Sequence, residues 1–166
     1  MRKVIFTEAQ LRHILKESVG EDALVSAGTY IFCKDKDGVW NILCGKRAGN
    51  EPRFQGGLYN VPVGMREYGE PIVETARREC YEETGINIPS TLFKQVGVDQ
   101  WSPNKYGANF LVIFNDVTDN HQTGNGDWEN EKFEWLPVEK INSLRWAYNM
   151  NVTAMGIFNS FVKNNG

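Results

Sequence analysis

Apolar residues fall at every second position in some stretches of the chain and every three or four in others, and each change of period marks an element. Near the start, Leu11, Ile14, Leu15 and Val19 recur at helical spacing behind a Thr7–Gln10 capping pattern, and Gly20 follows. An amphipathic helix is predicted over 8–19. It either packs on its own domain or serves docking or dimerisation. Residues 27–34 and 39–47 read as two strands joined by turn chemistry at 35–38. A loop over 48–57 leads to a short strand at 58–61, which Pro62 stops. Residues 71–84 read as a helix, with Pro71 in its first turn and Gly85 past its end. Strands are expected at 92–98, 109–115 and 133–136, with loops at 99–108 and 118–130. A helical turn at 138–143 and a closing helix at 146–162 complete the chain. Strands dominate and helices interrupt them irregularly. That predicts an α+β fold, a mixed β-sheet sandwiched between helices, with 1–20 as an N-terminal extension and 21–166 as the domain.

Composition narrows the function. Hydrophobic residues make up 41% of the 166 and charged residues 23%, enough for a packed core and too apolar for disorder. The net charge of -3 makes a poor general binder of polyanions, so long nucleic acid is disfavoured and phosphate must be met locally or through a metal ion. No apolar run approaches the roughly 18 residues of a membrane span. Arg12, His13, Lys16 and Glu17 interrupt any leader-like run, so a cytoplasmic protein is expected. Cys33, Cys44 and Cys80 fit neither a disulfide framework nor a metal-ligand spacing, and read as buried free thiols.

The chemistry is concentrated between Gly64 and Ile86. Glu79, Glu82 and Glu83 stand at i, i+3 and i+4, so their carboxylates share one helix face beside the apolar stripe of Ile72, Val73, Ala76 and Cys80. Three like charges so placed repel one another. Arg78 supplies part of the compensation, by i,i+4 pairing with Glu74 and by reaching Glu82. The remainder points either to a hard divalent cation or to a solvated acidic face. Residues 64–86 hold three arginines and six glutamates, a local excess equal to the net charge of the whole chain.

Gly64, then Glu70, then Arg78-Glu79-Cys80-Tyr81-Glu82-Glu83-Thr84-Gly85-Ile86 resembles the signature of the Nudix hydrolases, G-x5-E-x7-R-E-U-x-E-E-x-G-U with U aliphatic. Every charged and glycine position matches. Seven fixed residue types at fixed spacing arise by chance in such a chain about once in 10⁶. Cys80 at an aliphatic position is a mild departure, since cysteine packs as a small hydrophobe. Residues 57–64 are similar to the family's approach strand, with Tyr59 where tryptophan is frequent and Val63 in place of the first glycine of a Pro-Gly-Gly ending. The resemblance covers roughly residues 27–140.

The resemblance implies hydrolysis of a nucleoside diphosphate linked to another moiety, with water attacking phosphorus and Mg²⁺ as cofactor, Mn²⁺ being able to substitute. Candidate substrates are nucleoside triphosphates, ADP-ribose, nucleotide sugars, dinucleoside polyphosphates and a capped or triphosphorylated RNA end, the last disfavoured by the acidic net charge. It further implies that Glu79, Glu82, Glu83 and the Val63 carbonyl hold the metal. One of these glutamates, or a carboxylate from another loop, acts as general base; Glu129 is the first candidate, six residues before Trp135, and Glu131 the second. Gly64, Glu70, Arg78 and Gly85 are expected to support the site, with Glu70 and Arg78 as a pair that braces the loop and helix positioning the ligands. Lys46, Arg47 and Arg53 are candidates for phosphate contact, and Tyr59, Trp101, Tyr106 and Trp128 for contact with the base. A homodimer stays open, as does a non-catalytic nucleotide-binding module on the same fold.

Overall fold

The computed structural model describes residue 7 and residues 19–49, 57–115 and 132–165. The predicted helix over 8–18 lies outside the described residues, as do Arg53, Trp128, Glu129 and Glu131. Val19, the last residue of the predicted helical stripe, is buried in the core.

Seven strands form the sheet: β1 (Leu24–Lys34), β2 (Trp40–Lys46), β3 (Tyr59–Asn60), β4 (Val63–Met65), β5 (Lys94–Ser102), β6 (Lys105–Phe114) and β7 (Glu134–Pro137). The main order is β3-β2-β1-β6-β5, with β4 on β1 and β7 on β2. β1 runs parallel to β6, while the other pairings are antiparallel. The sheet is therefore mixed, as expected. β1 is central and covered on both faces, which explains its nearly unbroken apolar run.

Among the described residues, two α-helices cover the sheet, α1 (Ile72–Thr84) and α2 (Met150–Asn165). Ile72, Ala76 and Cys80 of α1 pack with Ala27, Ile31, Val112 and Phe133. On the opposite face, Met150, Ala154 and Phe158 of α2 pack with Tyr30, Phe32, Ile42 and Val61. The Phe32 and Phe158 rings lie 5.2 Å apart. Side chains alternate along β1, so one strand feeds both cores.

One edge of β1 is shared by two partners. Ser26–Gly28 pair with β4, and Phe32–Lys34 pair with β2. At the fork, Thr29 N donates to Pro62 O at 2.9 Å. Pro62 ends β3, as predicted for a residue without an N–H. The chain then rejoins the sheet as β4, which the sequence reading did not anticipate because three residues carry no readable period. This fork brings Val63 and Gly64 against α1.

Three further expectations need correction. The predicted loop at 99–108 is the tip of a long hairpin, with β5 and β6 continuing to Ser102 and Lys105. β5 lies at the sheet edge and its outer half is exposed, so polar residues replace the alternation that marks a buried strand. The closing helix begins at Met150 rather than 146. Before it, Tyr148 and Asn149 adopt left-handed backbone (φ 52° and 56°). Tyr59 N donates to Arg145 O at 2.9 Å, and Trp146 Nε1 donates to Ile141 O at 2.8 Å. The chain is thus tied to β3 and must turn sharply to enter α2. Finally, Glu74 pairs with Arg77 at 2.7 Å and not with Arg78, whose guanidinium is drawn to the other side of the helix.

Candidate functional site

α1 runs across β4 and delivers its acidic edge to the Val63–Gly64 backbone. The helix starts at Pro71, where Ile72 N donates to the Glu21 carboxylate at 2.9 Å and so meets an acceptor 51 residues away in sequence. It stops at Gly85, whose φ of 75° only glycine adopts without strain, and Gly85 N returns to Tyr81 O at 2.8 Å.

Glu83, only 6% exposed, accepts a hydrogen bond from Val63 N at 3.2 Å. The Glu79 side chain is 14% exposed and lies directly over Gly64, so a side chain on Gly64 would collide with its carboxylate. Glu82 is 54% exposed and stands at the solvent edge of the group. Two carboxylates thus flank the β4 backbone, and a third projects beside them.

Arg78 organises this cluster. Its Nε and Nη2 donate to the two Glu70 oxygens at 2.8 and 3.1 Å, a bidentate pair. Nη1 donates to Glu79 at 2.7 Å and to Glu82 at 3.2 Å, and Nη2 also reaches Met65 O at 2.9 Å. One guanidinium therefore joins the loop before α1, through Glu70, the strand β4, and two of the three signature carboxylates carried by α1. The Arg78 hydrogen bonds pull the Glu70 carboxyl down to about 2, helped by donations from Glu67 N and Thr75 Oγ1. The same contacts raise the Arg78 pKa.

Among the described residues, no three His, Cys, Asp or Glu side chains converge as a ready-made metal cage. Arg78 draws Glu79 and Glu82 toward itself. The donor set is nevertheless all hard oxygen, and Mg²⁺ takes only one or two carboxylates when waters and substrate phosphates complete its shell. The Glu79 cradle on Gly64 holds such a carboxylate where no side chain crowds it. These residues fit a hard divalent cation.

The remaining candidates divide between the two edges of the sheet. Arg47 and Tyr59 come together on the β2–β3 ladder, where Arg47 N donates to Leu58 O at 2.8 Å. The Arg47 guanidinium lies 5.8 Å from the Tyr148 ring centre, and Tyr59 packs on Trp146. Trp101 is on β5 at the opposite edge, 55% exposed. With four strand spacings between β3 and β5, roughly 19 Å separates those edges, so one planar ring cannot touch both groups. Tyr106 packs toward the α1 face, whereas the Trp101 indole lies over Gly107.

Sequence reasoning missed Tyr148, Asp99, Asn109 and the helix-capping Glu21. Asp99 and Asn109 meet across the β5–β6 hairpin, while Glu21 and Tyr148 reach their partners only through long-range packing.

This arrangement defines a class. A family model for the NUDIX domain matches residues 24–153, and the chain belongs to that family. Over 75 residues it is 32% identical to the NAD-capped RNA hydrolase NudC of Mannheimia succiniciproducens, covering 44% of this chain and 27% of that protein. Over 66 residues it is 35% identical to NudC of Pasteurella multocida, covering 39% and 24%. The chain thus spans about a quarter of the length of these curated relatives. Among solved structures it resembles the NUDIX domain of Shewanella oneidensis NrtR in complex with ADP-ribose (TM-score 0.65, 15% identity, 94% of this chain and 99% of that one). It also resembles a C. elegans Ap4A hydrolase (TM-score 0.62, 18% identity, 84% and 98%). At these identities the structural likeness establishes the fold. No described helix is long and apolar enough to cross a membrane.

Proposed function

We propose that this protein is a divalent-cation-dependent hydrolase that cleaves the pyrophosphate bond of a nucleoside diphosphate linked to another moiety. The observation that carries the reading is the placement of Glu79 and Glu83 on the Val63–Gly64 backbone, with Glu82 beside them. Glu79, Glu82, Glu83 and the Val63 carbonyl would hold Mg²⁺, with Mn²⁺ as a substitute. When bound, such a cation neutralises phosphate charge and supplies Lewis acidity.

The chain's own residues have separable tasks. Glu83 fixes the Val63 peptide and keeps the β4 backbone registered on α1. Arg78 and Glu70 are positioning residues that hold the carboxylates in place. A carboxylate must also take the proton of the attacking water. Glu82, the most exposed of the three, and Glu129 are the candidates for that base. Arg47 and Arg53 are proposed to meet substrate phosphates, and Tyr59 and Trp101 to meet flat groups of the substrate. The division into a 1–20 extension and a 21–166 domain belongs to the same proposal; deleting 1–20 and measuring activity and mass tests it.

The substrate class is a small nucleotide derivative: a nucleoside triphosphate, ADP-ribose, a nucleotide sugar or a dinucleoside polyphosphate. A panel of these with Mg²⁺ and Glu83→Gln as control tests the reading. Cleavage of one class, lost in the control, supports it. An inert panel with retained nucleotide binding overturns it in favour of a binding module.

A further inference from the structure

The signature leaves the positions between Gly64 and Glu70 open, and one of them holds Arg66, whose side chain is only 16% exposed. An arginine is seldom so covered unless its donors are engaged. Arg66 Nε donates to Glu70 O. Nη1 donates to Glu21 O at 2.7 Å and reaches Leu24 O at 3.3 Å. Nη2 lies 4.0 Å from the Glu21 carboxylate. The Arg66 peptide is fixed as well, its N–H donating to Val25 O at 2.9 Å. One side chain thus ties the loop between β4 and α1 to the segment that enters β1.

Glu70 is consequently held at both ends. Arg66 binds its carbonyl, and Arg78 binds its carboxylate. The carboxylate also accepts from Glu67 N and Thr75 Oγ1, but Glu67 belongs to the same loop and Thr75 to α1. Arg66 is the contact that anchors the loop outside itself. The same segment fixes the start of the helix. Pro71 stands at the N-cap without a side-chain cap, and Glu21 accepts from Ile72 N in its place. A series of contacts therefore runs from Glu21 and Leu24 through Arg66 to Glu70. It continues from Glu70 through Arg78 to Glu79 and Glu82. It begins 45 residues before Arg66, well outside the signature.

We propose that Arg66 is a positioning residue for the cation-binding carboxylates. It seats the Glu70 loop on the segment before β1, and so fixes the fork by which Arg78 aims Glu79 and Glu82. A bidentate pair tolerates little displacement of either partner, so a Glu70 free to move with its loop loosens Arg78. Lysine at position 66 keeps the charge. It has no planar fork to span the Glu70 carbonyl and the Glu21 and Leu24 carbonyls together. The inference rests on the hydrolase reading for its consequence in catalysis, but the positioning itself is measured without turnover or metal.

The test compares the full chain with Arg66→Ala and Arg66→Lys, with thermal unfolding to verify that each variant folds. Nuclear magnetic resonance follows solvent exchange of the Arg78 Nε–H and of the amide of Ile31, which is buried on β1. Arg66→Ala is expected to speed exchange of the Arg78 Nε–H about tenfold, and Arg66→Lys about threefold. A loss of global stability alone would speed the Ile31 amide and leave the Arg78 side chain, which exchanges by local opening, as it was. In the activity assay, the Mg²⁺ needed for half-maximal rate should rise about fivefold in Arg66→Ala, with substrate KM at saturating Mg²⁺ within about twofold of the wild type. Unchanged Arg78 exchange in folded Arg66→Ala, or an unchanged Mg²⁺ requirement where it is active, overturns the inference. If Arg66→Ala does not fold, Arg66→Lys decides by the same two measurements. An inert substrate panel sinks the hydrolase reading alone, and the exchange measurement still decides this one.

Discussion

The Glu79 carboxylate occupies the space that a side chain on Gly64 would need. The glycine opening the signature and the glutamate 15 residues later are thus two halves of one contact, made when α1 crosses β4. Gly64→Ala should displace the carboxylate, lower stability by about 1–3 kcal/mol and depress hydrolysis. Adding Glu79→Ala should restore much of the stability without restoring activity. A double-mutant cycle read by denaturant unfolding and by turnover checks both halves.

Glu83→Gln separates fold from chemistry. The glutamine oxygen can still accept the Val63 N–H, so the unfolding midpoint should change little. Removing the negative charge should cut activity by about 100-fold or more and shift the Mg²⁺ titration to higher concentration. Chelation should abolish wild-type activity, and added Mg²⁺ should restore it.

Arg78→Lys keeps the charge but not the fork. Lysine cannot span both Glu70 oxygens while also reaching Glu79 and Met65 O. A loss of about 2 kcal/mol is expected, along with weaker activation by Mg²⁺ as Glu79 and Glu82 lose their orientation. Equilibrium unfolding and metal titration read the two effects.

Glu70 gives stability a defined acid limb. Its pKa falls from an ordinary 4.5 to about 2 through Arg78, so its contribution is complete above pH 4.5 and disappears as pH drops toward 2. Glu70→Gln should be less stable than the wild type at pH 6, and the gap should close across that window. Urea midpoints between pH 6 and 2 measure it.

The cysteines should be silent. Cys33, Cys44 and Cys80 are buried and in no disulfide, and burial pushes the Cys44 and Cys80 thiols up to about 12. An aromatic disulfide reagent should label none of the three in the folded protein and all of them in denaturant. Full activity after treatment of the native enzyme is expected.

Much of the site was legible before folding because it is local. Glu79, Glu82 and Glu83 share a face by helical periodicity alone, and Gly85 marks the end of α1 by its backbone freedom. The hairpin of β1 and β2 and the mixed character of the sheet also followed from pattern. Where local signals competed, the reading failed. Arg78 had an i,i+4 partner in Glu74, yet chose Glu70 across the loop, because a bidentate pair beside a protected strand outweighs an exposed helix pair. β5 and β6 were cut short because an edge strand needs no alternation on its outer side.

Helical periodicity alone specified that a dense acidic helix face exists, and where it starts and stops. Only the tertiary structure decided what that face touches. The fork in the β1 edge and the seating of Val63 and Gly64 under Glu83 and Glu79 depend on segments far apart in the chain. Helical periodicity is written within a few residues and so can be read from them. Contacts across a sheet are fixed by register and packing among distant segments, and no local pattern encodes them.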